Sequence, residues 1–149
     1  VKKRTIVLIL LLIIILGLVG YRRYFYQFKV LGKATLFSGP IESPEGEYNA
    51  RAYYIPYGGA AGGVMYLVEV EQTKTGVKKI IYSSEHKDKF SMDWQASDIL
   101  SITNESPEYK EYRNIELKVN TEIYEESGSA CRSLLLKDQY ETCYQDVKE

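Results

Sequence analysis

The sequence predicts a mainly β protein: an N-terminal transmembrane helix followed by a small antiparallel β-meander domain with a short C-terminal helix. Three observations carry that prediction. Residues Ile6 through Val19 are apolar except for Gly17, and a run of this kind suits a bilayer. Between Tyr48 and Asn120, several short stretches alternate apolar and polar residues, the period of a half-buried strand. Most of the connections between them are short, which favours antiparallel neighbours, because parallel pairing needs long crossovers. A length of 149 residues bounds the remainder to one domain.

The apolar segment comes first. Thr5 to Tyr21 makes 17 residues, about 25 Å of helix at roughly 1.5 Å per residue, the short end of what crosses a hydrocarbon core of about 30 Å. Its flanks extend its reach. Lys2, Lys3 and Arg4 stand on one side, and Tyr21, Arg22, Arg23, Tyr24, Phe25 and Tyr26 form an aromatic and basic belt on the other. A helix apolar all round with cations at both ends would need a large protein to hide it, which argues against a core helix. A cleaved signal peptide shares the basic start and apolar middle. The stretch LGLVGYRRY, however, has no small-x-small pair before a cut and places bulky, charged residues beyond it. The expectation is therefore an uncleaved signal-anchor in the cell membrane, spanning it once. Residues 1–4 are read as a short basic tail, 5–21 as the span, 22–39 as a juxtamembrane stalk and 40–149 as the soluble domain. Arg22, Arg23, Lys29 and Lys33 balance the basic tail, so the positive-inside rule does not decide orientation. A short basic tail ahead of the first apolar run is the usual export arrangement, and it places the domain outside the cytoplasm.

Charge excludes several classes. The chain has 19 Lys and Arg against 20 Asp and Glu, a net of -1. Three of those bases and no acid lie in the first twenty residues, so the chain from Tyr21 onward carries -4. This balance gives no nucleic-acid signal and no polyanionic tail. Two Cys and one His exclude a cysteine-rich scaffold or a zinc cluster built within the chain. No cofactor or metal is expected.

The elements of the soluble part follow in order. Ala34 to Phe37 is a short strand ahead of the turn-rich Gly39-Pro40. Ser43-Pro44-Glu45-Gly46 places Pro second and Gly fourth, as a tight turn requires. Tyr48 to Tyr57 reads as a strand, and so does Val64 to Glu71, with Val64, Tyr66, Val68 and Val70 on one face and Glu69 and Glu71 on the other. Lys79 to Ser83, Phe90 to Trp94, Ile99 to Thr103 and Tyr112 to Asn120 complete the set; the last alternates Ile115, Leu117 and Val119 with Glu116, Lys118 and Asn120. Ile123 and Tyr124 end the sheet. Ser127-Gly128-Ser129 is a break, after which Leu136, Tyr140, Cys143, Tyr144 and Val147 recur at spacings of three and four, one face of an amphipathic helix.

Four stretches carry a resemblance: SPEGEYNARAYYIPYGGAAGGVMYLVEVE, IIYSS, FSMDWQASDILSIT and GSACRSLLLKDQYETCY. Together they resemble a family of small uncharacterised proteins of Gram-positive bacteria (Bacillus and relatives), filed as a domain of unknown function with one N-terminal hydrophobic segment. The resemblance runs from about Pro40 to Tyr144, and the Tyr-Gly-Gly-Ala-Ala-Gly-Gly run is its most specific piece. It implies a host class and a single-pass topology, and brings no activity, ligand or catalytic residue. SPEGEY and WQASDIL, once each, also resemble pieces of a propeller blade, which implies a local meander only.

Among candidate residues, Pro56 to Gly63 (PYGGAAGG) lacks the Lys and Ser/Thr of a phosphate loop and precedes a strand rather than a helix. It reads as a glycine-rich hairpin connection. Flanked by tyrosines, which offer apolar area and a hydroxyl at low entropic cost, it is also the candidate recognition surface: Tyr53, Tyr57, Gly58, Gly59, Gly62, Gly63 and Tyr66. His86, with Glu85, Asp88, Ser83 and Ser84 nearby, reads as part of a solvated loop rather than a catalytic centre. Asp93 and Asp98 flank Trp94 in a sugar-site manner, but Trp94 shares parity with Phe90 and Met92 and reads as core. Glu122, Glu125 and Glu126 read as a solvated acidic face.

Cys131 and Cys143 leave two readings open. A disulfide outside the cell would close about thirteen residues and contribute about 3 kcal/mol; buried free thiols are the alternative. A straight helix through both would hold their Cα atoms about 18 Å apart, beyond the roughly 7 Å limit of a bridged pair, so the helix and the disulfide compete.

The functional expectation is a membrane-anchored extracytoplasmic interaction module of unknown ligand, not an enzyme. Its partners would be the lipid bilayer and another envelope or membrane protein, with no nucleic acid. One alternative is an accessory subunit of a membrane complex that contacts partners through its transmembrane helix. A small hydrolase-like enzyme is the other, with no acid, base and nucleophile standing out to support it.

Overall fold

A computed structural model describes residues 2–28, 34–85, 89–106 and 114–146. Helix α1 (Lys2–Tyr24) has 23 residues, about 35 Å at roughly 1.5 Å per residue. It extends past the apolar run at both ends, so that the basic tail and the belt residues up to Tyr24 are themselves helical. Every large apolar side chain from Ile6 to Val19 is at least half exposed. By length and composition the helix is able to cross a membrane, and it is no part of a soluble core.

Among the described residues nine strands follow: β1 (Thr35–Glu42), β2 (Tyr48–Tyr57), β3 (Gly63–Gln72), β4 (Lys78–Glu85), β5 (Lys89–Trp94), β6 (Ile99–Glu105), β7 (Ile115–Lys118), β8 (Glu122–Glu125) and β9 (Thr142–Tyr144). They form a six-stranded sheet in the order β1-β2-β3-β4-β8-β9 and a three-stranded sheet β5-β6-β7. β1 to β4 are antiparallel neighbours, as are β5 to β7. The expected meander is thus largely present, with one difference. β8 returns to pair parallel with β4, and β9 pairs parallel with β8. The intervening three-stranded sheet is the crossover that makes β4–β8 possible. The two blade-like pieces fall in different sheets, at the β1–β2 and β5–β6 turns.

The sheets pack face to face. Ala50, Ala52, Val68, Val70, Ile81, Tyr82 and Tyr124 of the larger sheet meet Leu100, Ile102, Leu117 and Val119 of the smaller side. Each fully buried aliphatic side chain there contributes about 1.5–3 kcal/mol. Phe90, Met92 and Trp94 join this core from the face their shared parity assigned them. The Trp94 Nε1–H donates to the Ile41 carbonyl at 3.1 Å, tying β5 to the edge strand β1, in keeping with the reading of Trp94 as core. Polar Asn104 sits fully buried at core parity. Asn104 donates through Nδ2 to Tyr82 Oη (3.0 Å), Ser84 Oγ (3.3 Å) and the Glu85 carbonyl (2.9 Å).

The opposite face of the larger sheet has a second cover. Ile123, Ala130 and Leu136 pack with Tyr26, Phe28, Tyr140 and Cys143. Residues 25–28, expected to be a free stalk, are therefore partly built into the domain. Leu134 N–H donates to the Tyr24 carbonyl at 2.8 Å, and Ser133 Oγ donates to the Tyr26 carbonyl at 2.5 Å.

The tail overturns one expectation. The chain from Ser127 to Glu141 forms successive turns rather than a helix, and ends in β9. Cys131 and Cys143 are disulfide-bonded with their Cα atoms 5.4 Å apart, a separation that a helix through both cannot provide. The three-and-four spacing of Leu136, Tyr140 and Cys143 arises because consecutive turns also bring such residues to one side. The acidic patch is corrected as well. Glu125 is 5% exposed and accepts from the Ser127 and Ala130 N–H groups, both at 3.0 Å. Glu126 accepts from Ser84 Oγ (2.8 Å) and Glu85 N–H (2.7 Å). These carboxylates hold the chain reversal after β8 rather than facing water.

Replacing both cysteines, as Cys131→Ser with Cys143→Ser, is expected to lower unfolding stability by about 3 kcal/mol, the loop-closure value for such a bridge. Chemical denaturation of the full chain in detergent measures this, and treating the wild type with reductant should give the same loss.

Candidate interaction site

The residues singled out from sequence gather on the β2–β3 hairpin. The two strands pair without a break from Tyr48↔Gln72 to Tyr57↔Gly63, leaving Gly58 to Gly62 as the tip. Gly58 and Gly59 take φ of 78° and 62°, the left-handed region that glycine enters without Cβ strain. A single 3-10 turn, Gly59–Ala61, closes the tip, with Gly62 N–H on the Gly59 carbonyl at 3.1 Å. Gly62 is required for a different reason: a Cβ there would lie 1.5 Å from the Tyr57 carbonyl oxygen. At Gly63 a Cβ would lie 2.7 Å from the Tyr57 hydroxyl, so the Tyr57 ring lies back over its cross-strand partner.

This splits the residues singled out from sequence. Tyr57, Gly58, Gly59 and Gly62 are exposed together at the tip, with Gly63 half-buried at its base. Tyr53 lies inward on the same strand face as Tyr57 and is half-buried. Tyr66 is 5% exposed, on the opposite face, stacked on Phe90 at 4.1 Å with Phe37 edge-on at 5.0 Å. Tyr66 therefore belongs to the core, because β3 is buried on both faces from Tyr66 to Val70. Hydrogen bonding to Glu85 raises the Tyr57 phenol above its ordinary value, helped by burial. His86 and Asp88 lie outside the described residues.

Beyond Tyr53 the same face carries a charged strip that alternation alone did not reveal. Arg51 Nη1 donates to Glu71 Oε2 at 2.6 Å. Glu69, 4% exposed, has Lys78 Nζ at 3.7 Å and Arg51 Nη1 at 4.0 Å from Oε1. The Arg51 hydrogen bond holds the Glu71 carboxyl below the usual carboxylate range, and the same bond raises the guanidinium. Next to the strip, a cavity of about 330 Å³ opens between Phe28, Glu69, Lys78, Lys79, Leu136 and Tyr140. Lys79 is used as a strut there. It donates to the Gln139 carbonyl, its ammonium lies 5.9 Å from the Tyr140 ring centre, and burial pushes its pKa down.

The site thus consists of an exposed glycine tip with one aromatic side chain, backed by a half-buried tyrosine and paired charges. Such an arrangement suits contact with another surface. Among the described residues, Ser83 and Ser84 are buried and Ser84 is engaged by Asn104 and Glu126, which leaves neither placed as an exposed nucleophile. Sequence reading placed Glu69 on the polar face of its strand without its burial, and did not single out Asn104. For Asn104 a signal existed, since it follows Leu100 and Ile102 at core parity; for Glu69 none did, because its burial comes from elements distant in sequence.

One protein family's model, described as a family of unknown function (DUF5412), matches residues 2–126. The match takes in α1 and β1 to β8 and ends at the start of the disulfide-closed tail, whereas the resemblance read from sequence began near Pro40 and ran through that tail. No curated protein and no solved structure matches the chain.

Two outcomes test this geometry. Gly62→Ala is expected to cost roughly 1–3 kcal/mol, the range for forcing an added methyl into occupied space, whereas Ala60→Gly at the exposed tip should shift thermal unfolding little. The second concerns Tyr26, whose phenol burial, followed by the Glu125 charge, pushes up from 10.0 to about 12. Its stabilising contribution is complete below the unfolded value and is lost as pH rises through the folded one. Urea midpoints should therefore fall more steeply between those two values in the wild type than in Tyr26→Phe.

Proposed function

The chain belongs to this family of unknown function, and from its geometry we propose a membrane-anchored, extracytoplasmic interaction module without catalytic activity of its own. It binds another envelope protein, in a Gram-positive host, through the Tyr57–Gly62 tip. The observation that carries the reading is a helix whose large apolar side chains are all exposed and which is joined by a backbone hydrogen bond to a compact β domain. A helix of this kind is costly in water and comfortable in lipid. The disulfide supports the external side, because such bonds persist in oxidising compartments and are rare in the cytosol. Tethering confines the domain to a thin layer and raises its effective concentration toward anything else held there.

The module is tested in intact cells with a photo-crosslinking residue at Ala60. Capture of a defined protein at position 60, but not from the same residue placed at Val77, is the expected result. Crosslinks that form only when the probe stands in α1 would instead favour an accessory subunit that works through its helix. Orientation is tested with Val77→Cys in the Cys131→Ser, Cys143→Ser background. A membrane-impermeant maleimide should label it in unbroken cells, and labelling that appears only after lysis overturns the external placement.

A further inference from the structure

The tail contains three consecutive leucines that part company. Leu136 is 7% exposed and packs against Ile123. Leu134 and Leu135 are 51% and 42% exposed and point away from the core. Their position is tightly held. Leu134 N–H is on the carbonyl of Tyr24, the last residue of α1. Ser133 Oγ donates to the Tyr26 carbonyl and accepts from Leu135 N–H at 3.3 Å, and the Cys131–Cys143 bond closes the loop around them. Two leucines are thus presented to the outside within one hydrogen bond of the place where the apolar helix stops.

We propose that the Leu134–Leu135 turn is a second membrane contact, seated in the interfacial layer of the bilayer in which α1 ends. The inference rests on the reading of α1 as a membrane anchor. Continuity is the first argument: Tyr21, Tyr24 and Phe25 at the end of the helix are all exposed, so the leucines extend an existing apolar belt rather than starting a new patch. Aromatic residues of this kind favour the headgroup level. Charge is the second. Arg22 and Arg23 in the last turn of α1, with exposed Arg132 and Lys137 flanking the leucines, give the belt four cations against exposed Asp138 and the buried Glu125 beside Tyr26, and anionic headgroups attract such a set. Apolar residues on such surfaces bury about 5–10 Å into the headgroup and acyl boundary. The contact makes the domain sit against the membrane in one orientation, with α1 and the turn as two points of support.

The test uses the unmodified full chain in nanodiscs of phosphatidylcholine and phosphatidylglycerol, with a phospholipid carrying a diazirine near the top of one acyl chain. After illumination, reduction and trypsin, cleavage at Arg4, Arg22, Arg132 and Lys137 isolates the helix peptide and the Ser133–Lys137 peptide. Cleavage at Lys74 and Lys78 isolates the exposed Val77 turn as a control. Lipid mass on the helix and on the Ser133–Lys137 peptide, with none on the Val77 peptide, is the expected result. Lipid on the helix alone overturns the second contact and leaves the anchor standing; lipid on neither overturns both. Equal labelling of the Val77 peptide also overturns the proposal, since any exposed apolar turn would then behave alike. Leu134→Ser with Leu135→Ser should abolish the adduct on the tail while keeping that on α1. Protection of the turn from hydroxyl-radical modification without a lipid adduct would assign it to a protein neighbour and overturn the proposal.

Discussion

A six-stranded sheet with apolar residues on both faces cannot be stable with one face open, and here the two faces are covered by different parts of the chain. β3 makes the demand plain, being buried on both sides from Tyr66 to Val70. The three-stranded sheet covers one face through Leu100, Ile102 and Leu117. The other is covered by the disulfide-closed tail together with Tyr26 and Phe28 from the segment after α1. The end of the helix and the core are therefore not separate. The residues that leave the apolar helix are part of what keeps the sheet dry.

That arrangement places polar groups where water does not reach, and the fold answers each with a specific partner. An unsatisfied buried donor or acceptor costs about 1–3 kcal/mol. Asn104 meets three acceptors around β4. Glu125 takes two N–H groups of the turn that starts the tail, and Glu126 ties that turn back to β4. The same carboxylate of Glu125 contributes to holding the Tyr26 phenol neutral, so the start of the tail and the end of the stalk are electrostatically as well as sterically coupled. Glu69 is the exception in kind: it is held by two cations near 4 Å rather than by a close hydrogen bond at Oε1.

These constraints shape what the surface can offer. The hairpin tip projects from a pairing ten positions long, with glycines where the backbone turns left-handed or approaches itself too closely for a side chain. It is a defined projection rather than a loose loop, which lowers the ordering cost of a contact made there. At the other end the tail binds the last residue of α1. A domain tied to α1 by the Leu134–Tyr24 main-chain hydrogen bond presents its surfaces in a restricted set of directions relative to that helix.

The strands were legible because period-two alternation depends only on neighbours in the chain: β2 runs over the residues read as a strand, and the core parity of Val68, Val70, Phe90, Met92, Trp94, Leu117 and Val119 holds. The apolar helix was legible for the same local reason, since its character needs no partner to be recognised. The tail was not. Its helical spacing is satisfied equally by successive turns, and a disulfide between residues twelve apart excludes the helix only once the backbone is seen to fold back. Tyr66 and Tyr57 illustrate the division. Sequence alone determined that Tyr66 shares its strand face with Val68 and Val70, because alternation is a property of the strand itself. Only the tertiary structure decided that one face is sealed by Phe37 and Phe90 while the tip stays open, because what covers a strand comes from segments far away along the chain.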